Sequence, residues 1–271
     1  MQAERIDFLI IAAVSAIVGG AYSILDVELR VLGMWVFLDL LTSFLLYSGA
    51  AMITMPERDV RTRERVVPAG PVNRIDEWFG VDSQISLPFL PSIYPKNLRF
   101  VLPTAFLLLI PVFGVGGALT VDGWGLGRRA GGSVTELFAQ FHVLQQPLVA
   151  IIGTLVVLAQ VGRFYRCHAA TGRYKRWTTH MMLEVGIQYI LWYALLAILL
   201  ALYAILTLVI FGFGIGPFVS DATGRMIWLT ALLLTALLTK LAFEWSRVRG
   251  ERQLNIADNS FTSNFSPTPM D

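Results

Sequence analysis

Asp39 stands in the apolar run Phe37-Leu38-Asp39-Leu40-Leu41 and is the clearest candidate for chemistry in the chain. A carboxyl group surrounded by hydrocarbon is costly, so an ionisable residue in such a run is a functional candidate by default. His142, Gln145 and Gln146 enter another apolar run from the same side. At 1.5 Å of rise per residue, Asp39 lies roughly 12 Å below the start of its own run, a depth the other three approach. An Asp–His–Gln cluster suits a bound cation or a proton relay, because histidine titrates near neutrality. The plainer reading is preferred: Asp39 links two helices by hydrogen bonds, and His142 sits near enough to the surface to meet water.

Glu184, Lys240 and Glu244 form a second set, towards the opposite end of their runs. Lys240 and Glu244 are one turn apart on a helix face. Glu184 is expected at similar depth and is read as the ion-pair partner that neutralises Lys240. Outward snorkelling of the lysine is the other cheap explanation. Neither requires function.

Most membrane chemistry is missing. There is no Asn-Pro-Ala pair of a water channel, no Gly-x-Ser-Gly with a later helical histidine, and no His-Glu-x-x-His for zinc. Asp39 has no second intramembrane aspartate to form a protease dyad. The glycine-rich stretch 123–132 lacks the Gly-Lys-Ser/Thr ending of a phosphate loop. His168 and His180 fall in or beside a basic loop, so no buried bis-histidine pair suggests haem. Cys167 is the single cysteine, which excludes an internal disulfide and a cysteine-based metal site. No catalytic residue, metal or cofactor is expected.

The elements that carry these residues follow from composition. Of 271 residues, 55% are apolar and only 15% charged, with mean hydropathy +0.63. Soluble domains usually carry about 25% charged residues, so a chain this apolar points to lipid. About 20 apolar residues cross the hydrocarbon core as a helix. Six segments qualify: 8–25, 31–54, 100–121, 137–161, 182–211 and 226–245. The fifth, too long for a perpendicular crossing, is one tilted or projecting helix. Ser133-x-x-Glu136 is a capping box before the fourth. Pro103 and Pro111 offer the third a kink.

Lysines and arginines orient the bundle. Sixteen lie in the N-terminal stub, the 55–99 and 162–181 loops and the tail, against four in the other connections, Lys240 being intramembrane. Cationic loops face the cytoplasm, which puts both termini inside. Cleavage of the first span as a signal peptide near Ala21-Tyr22-Ser23 is the rival; the long run and the stripe Ala12, Ala16, Gly20 favour a retained helix.

The chain therefore divides into spans one and two (1–54), a cytoplasmic basic and proline-rich loop (55–99), spans three to six (100–245) and a disordered tail (246–271). Arg58, Arg61, Arg63, Arg65 and Trp78 of the first loop, with Arg163, Arg166, Arg173, Lys175 and Arg176 of the second, are candidates for docking lipid headgroups or a partner. Cations mixed with aromatics also mark single-strand nucleic-acid surfaces, but these are tethered to spans, and net charge is only +2. The fold expected is an all-α integral membrane bundle of about six helices. The function expected is a non-catalytic structural, assembly or envelope component of a larger membrane complex, with protein partners or a second copy of itself. The alternative is a transporter of small solutes or ions, or its membrane subunit, with Asp39 and His142 in the pathway.

Overall fold

The computed structural model describes residues 2–24, 29–54, 84–86, 91–98, 100–109, 144–175, 177–214 and 222–252. These residues are all-α: α1 is Gln2–Ile24, α2 Leu29–Ile53, α3 Phe100–Leu109, α4 Pro147–Phe164, α5 Thr179–Gly214 and α6 Ala222–Arg252. Ile85 and Ile93 form an isolated antiparallel bridge, exchanging 2.9 Å backbone bonds. His142, Arg58, Arg61, Arg63, Arg65, Trp78, Arg176, the Ser133–Glu136 box and the 253–271 tail lie outside the described residues.

The second and fifth apolar runs became helices close to their expected limits, the first and sixth extend past theirs, the third is described only over 100–109, and the fourth starts later than expected. A continuous helix over 137–161 is ruled out at Gln146, whose ψ of 123° is extended, with Pro147 opening α4. The proline ring disfavours helical geometry in the residue before it and suits a first helical position itself. Beyond Phe164 the helix widens into a π turn, Tyr165–Ala169, closed by the Ala170 N–H to the Tyr165 carbonyl. Gly172, at φ 65°, then reverses the chain towards α5.

The end of α2 is satisfied by the segment after it. A helix leaves its last four carbonyls without intrahelical partners. Asn97 Nδ2 donates to the carbonyls of Ala51 and Thr54, both at 2.9 Å, and the Tyr94 N–H to that of Met52 at 3.0 Å. This ties the start of α3 to the end of α2.

Contacts set the helix directions. Thr54 meets Thr179, and Tyr47 meets Gly186, so α5 runs antiparallel to α2. A Cβ on Gly186 would come within 2.9 Å of Tyr47 Cβ; glycine permits this approach. Trp35 Nε1 donates to the Val149 carbonyl, and the Tyr47 ring packs on Phe164, so α4 runs parallel to α2. Phe8 packs edge-on against Trp245, and Gly19 lies near Leu237, which sets α1 antiparallel to α6. Asp7, Thr54, Cys167, Thr179 and Arg247 consequently gather at one end of the bundle.

The core of the described residues is largely apolar but also holds charged groups, and many large apolar side chains face outward. Arg163, Arg247, Asp39 and Glu244 are buried, while Leu9, Leu45, Phe106, Leu158, Ile198 and Leu238 are exposed on helix faces. Two helices, Met34–Ile53 and Pro147–Ala169, are long and apolar enough to cross a membrane.

Candidate functional site: a buried ionic cluster

Asp39 points into the space between α2, α4, α5 and α6. Its Oδ1 accepts a short bond from Gln160 Nε2. Its Oδ2 accepts from Lys240 Nζ at 2.7 Å and lies 3.2 Å from the hydroxyls of both Tyr189 and Tyr193. A carboxylate offers about four acceptor positions, and four donors from three other helices surround this one. Lys240 also reaches Tyr193 OH at 2.7 Å and Glu244 Oε1 at 3.4 Å, its charge lying 5.0 Å from the Tyr193 ring centre.

The cluster continues one turn towards the Thr54 end. Arg247 Nη1 lies 3.6 Å from Glu244 Oε2, and its guanidinium lies 3.4 Å from the Tyr189 ring centre. Arg247 Nη2 and Arg163 Nη2 both donate to Tyr47 OH at 3.4 Å. Arg163 Nε donates to Gln160 Oε1 at 3.2 Å, which fixes the amide orientation: its NH₂ faces the carboxylate and its oxygen the guanidinium. Arginine suits this position because its planar group stacks on aromatic rings while donating in several directions.

Helical spacing explains how four sequence-distant segments supply the cluster. Lys240, Glu244 and Arg247 lie at i, i+4 and i+7 on one face of α6, and Tyr189 and Tyr193 at i, i+4 on α5. Gln160 and Arg163 project from α4 at i, i+3, and Asp39 and Tyr47 from α2 two turns apart.

Several expectations are corrected. Gln145 and Gln146 do not approach Asp39; they are exposed at the mouth of α4, because that helix begins only at Pro147. Gln160, four turns deeper, takes their place. Lys240 is neutralised by Asp39 and Glu244 rather than by Glu184. Glu184 is buried and accepts from Gln188 Nε2 at 3.4 Å; it lies on the face of α5 turned away from Tyr189 and Tyr193. Arg163, expected at the headgroups, is wholly buried in the cluster.

Beside the cluster, the π turn anchors the start of α1: Arg166 Nε meets Asp7 Oδ1 at 2.7 Å, and Cys167 Sγ lies 3.5 Å from Asp7 Oδ2. His168 is packed among the rings of Phe164, Tyr47 and Trp177. Arg173 lies over Trp177, and Lys175, exposed, lies over Tyr174. Among the described residues, no three His, Cys, Asp or Glu side chains are grouped to hold a metal ion.

Compared with known proteins, the chain matches no family model, no curated protein and no solved structure.

Proposed function

We propose that the chain is a six-span membrane protein with both termini in the cytoplasm, acting as a non-catalytic structural or assembly component of a larger membrane complex. The many large apolar side chains on outward helix faces support the membrane setting. Large apolar groups on outer faces cost nothing against acyl chains, whereas in water they would form patches. Helix directions support the arrangement of termini, since the ends of α2 and α4 and the starts of α1 and α5 share one end of the bundle, where positive charges are concentrated.

The observation that carries the structural reading is the saturation of Asp39. Its acceptor positions are occupied by side chains of α4, α5 and α6. A carboxylate used in this way cross-links four helices and offers little to a substrate. The outward surface left to the molecule is apolar, suited to lipid and to the helices of a protein partner or a second copy. No nucleic acid is involved. In this reading, gentle extraction from native membranes yields an assembly larger than the single chain by native mass spectrometry. A lone chain at every detergent concentration would contradict it.

A second reading, transport of a proton or cation, is favoured by one observation. The Lys240 side chain is 22% exposed while its partner Asp39 is buried, so the ion pair has an edge towards the outside of the bundle. Purified protein in liposomes tests it. The structural reading predicts no more proton or cation flux than empty vesicles. A flux lost on Asp39→Asn would replace it with transport.

A further inference from the structure

Ser43 and Glu244 each keep a buried polar atom without a hydrogen bond. Ser43 Oγ is buried and has no hydrogen-bond partner; neither has Glu244 Oε2, whose contact with Arg247 at 3.6 Å is ionic only. Ser43 lies on the α2 face that carries Asp39 and Tyr47, one helical turn from each. Glu244 is linked to both neighbours of Ser43 on that face, through Tyr189 OH to Asp39 and through Arg247 to Tyr47. A helical serine usually returns its hydroxyl to a carbonyl of the preceding turn, and Ser43 does not. Buried polar groups are almost always bonded, and the exceptions call for a small polar ligand.

We infer that Ser43 and Glu244 bind an internal water molecule, held also by the Arg247 guanidinium, which completes the polar network between Asp39 and Tyr47. Water fits the chemistry better than an ion. Glu244 and Asp39 disfavour an anion, and Lys240, Arg247 and Arg163 disfavour a cation, whereas water donates to the carboxylate and exchanges a bond with the hydroxyl. Buried waters typically make about three such bonds. The inference concerns the cluster's chemistry and does not depend on whether the protein is a scaffold or a transporter.

A high-resolution map of the wild-type protein in nanodiscs should contain a single water-sized density within hydrogen-bond distance of both Ser43 Oγ and Glu244 Oε2. Infrared spectra in H₂¹⁶O and H₂¹⁸O should show an isotope-sensitive O–H stretch of an isolated water that shifts in Ser43→Ala. A map without density there, no isotope-sensitive band in wild type, or a band unchanged in Ser43→Ala would overturn the assignment. So would occupancy that follows sodium or chloride concentration, which would identify an ion.

Discussion

Tyr189 has one hydroxyl proton and two carboxylate neighbours, Asp39 and Glu244, each 3.2 Å away. It can donate to only one at a time, so the charge of the two acids is held chiefly by Lys240 and Arg247. Removing one member of a buried ion pair costs roughly 3–5 kcal/mol, because the other charge is left buried and uncompensated. Asp39→Asn keeps a bond to Gln160 but leaves Lys240 with Glu244 alone. It should lower unfolding free energy in detergent by about 3 kcal/mol, the low end of that range, because Lys240 keeps one acid and a partly exposed edge. Asp39→Asn combined with Lys240→Met should recover most of the loss. Additive losses in the double variant would show that the two side chains do not depend on each other. That Asp39 mattered was legible in the sequence, since a carboxylate in an apolar run always demands a partner. Which partner was not legible, because depth counted from the ends of apolar runs misjudged where α4 begins. The i, i+4, i+7 pattern of Lys240, Glu244 and Arg247 was visible, but nothing in one sequence brings that face to Asp39.

At the scale of helices, close approach rests on glycine and one asparagine. Gly186→Ala forces a methyl group against Tyr47 Cβ, an atom fixed to the backbone of α2 that no rotamer can move. Overpacking of this kind costs about 1–3 kcal/mol, and thermal unfolding should fall accordingly. Gly49→Ala is the control: nothing lies within 4 Å, and removing a glycine from a helix interior should stabilise by roughly 0.5–1 kcal/mol. Equal effects at the two positions would contradict the α2–α5 packing. Asn97→Ala strips the carbonyls of Ala51 and Thr54 of their donor and should cost about 2 kcal/mol, from the penalty of unsatisfied buried acceptors. Asn97→Asp should do no better, since a carboxylate cannot donate. Apolar runs made the helices themselves legible to within a few residues at most ends. The break at Gln146–Pro147 was present in the sequence as a proline, but an upstream capping box was given more weight. The Asn97 cap had no readable signature, because it joins segments distant in sequence, and the π turn after Phe164, though closed by a local bond, had none either.

At the scale of the whole molecule, an ionic cluster lies inside a largely apolar core, and large apolar side chains also lie on outward helix faces of the described residues. Five charged side chains from three helices meet between α2, α4, α5 and α6, while leucine, isoleucine and phenylalanine lie on outward faces. In the proposed reading the outward apolar faces meet hydrocarbon, and the cationic loops at one end set the orientation. Cysteine accessibility in intact cells tests this most directly. In a Cys167→Ser background, single cysteines at Gly127 and Ser220 should react with a membrane-impermeant thiol reagent added outside. Cysteines at Gly70 and Ser263 should react only after permeabilisation. Labelling of Gly70 or Ser263 from outside, or release of the chain from membranes by alkaline carbonate, would contradict a six-span bundle with both termini inside.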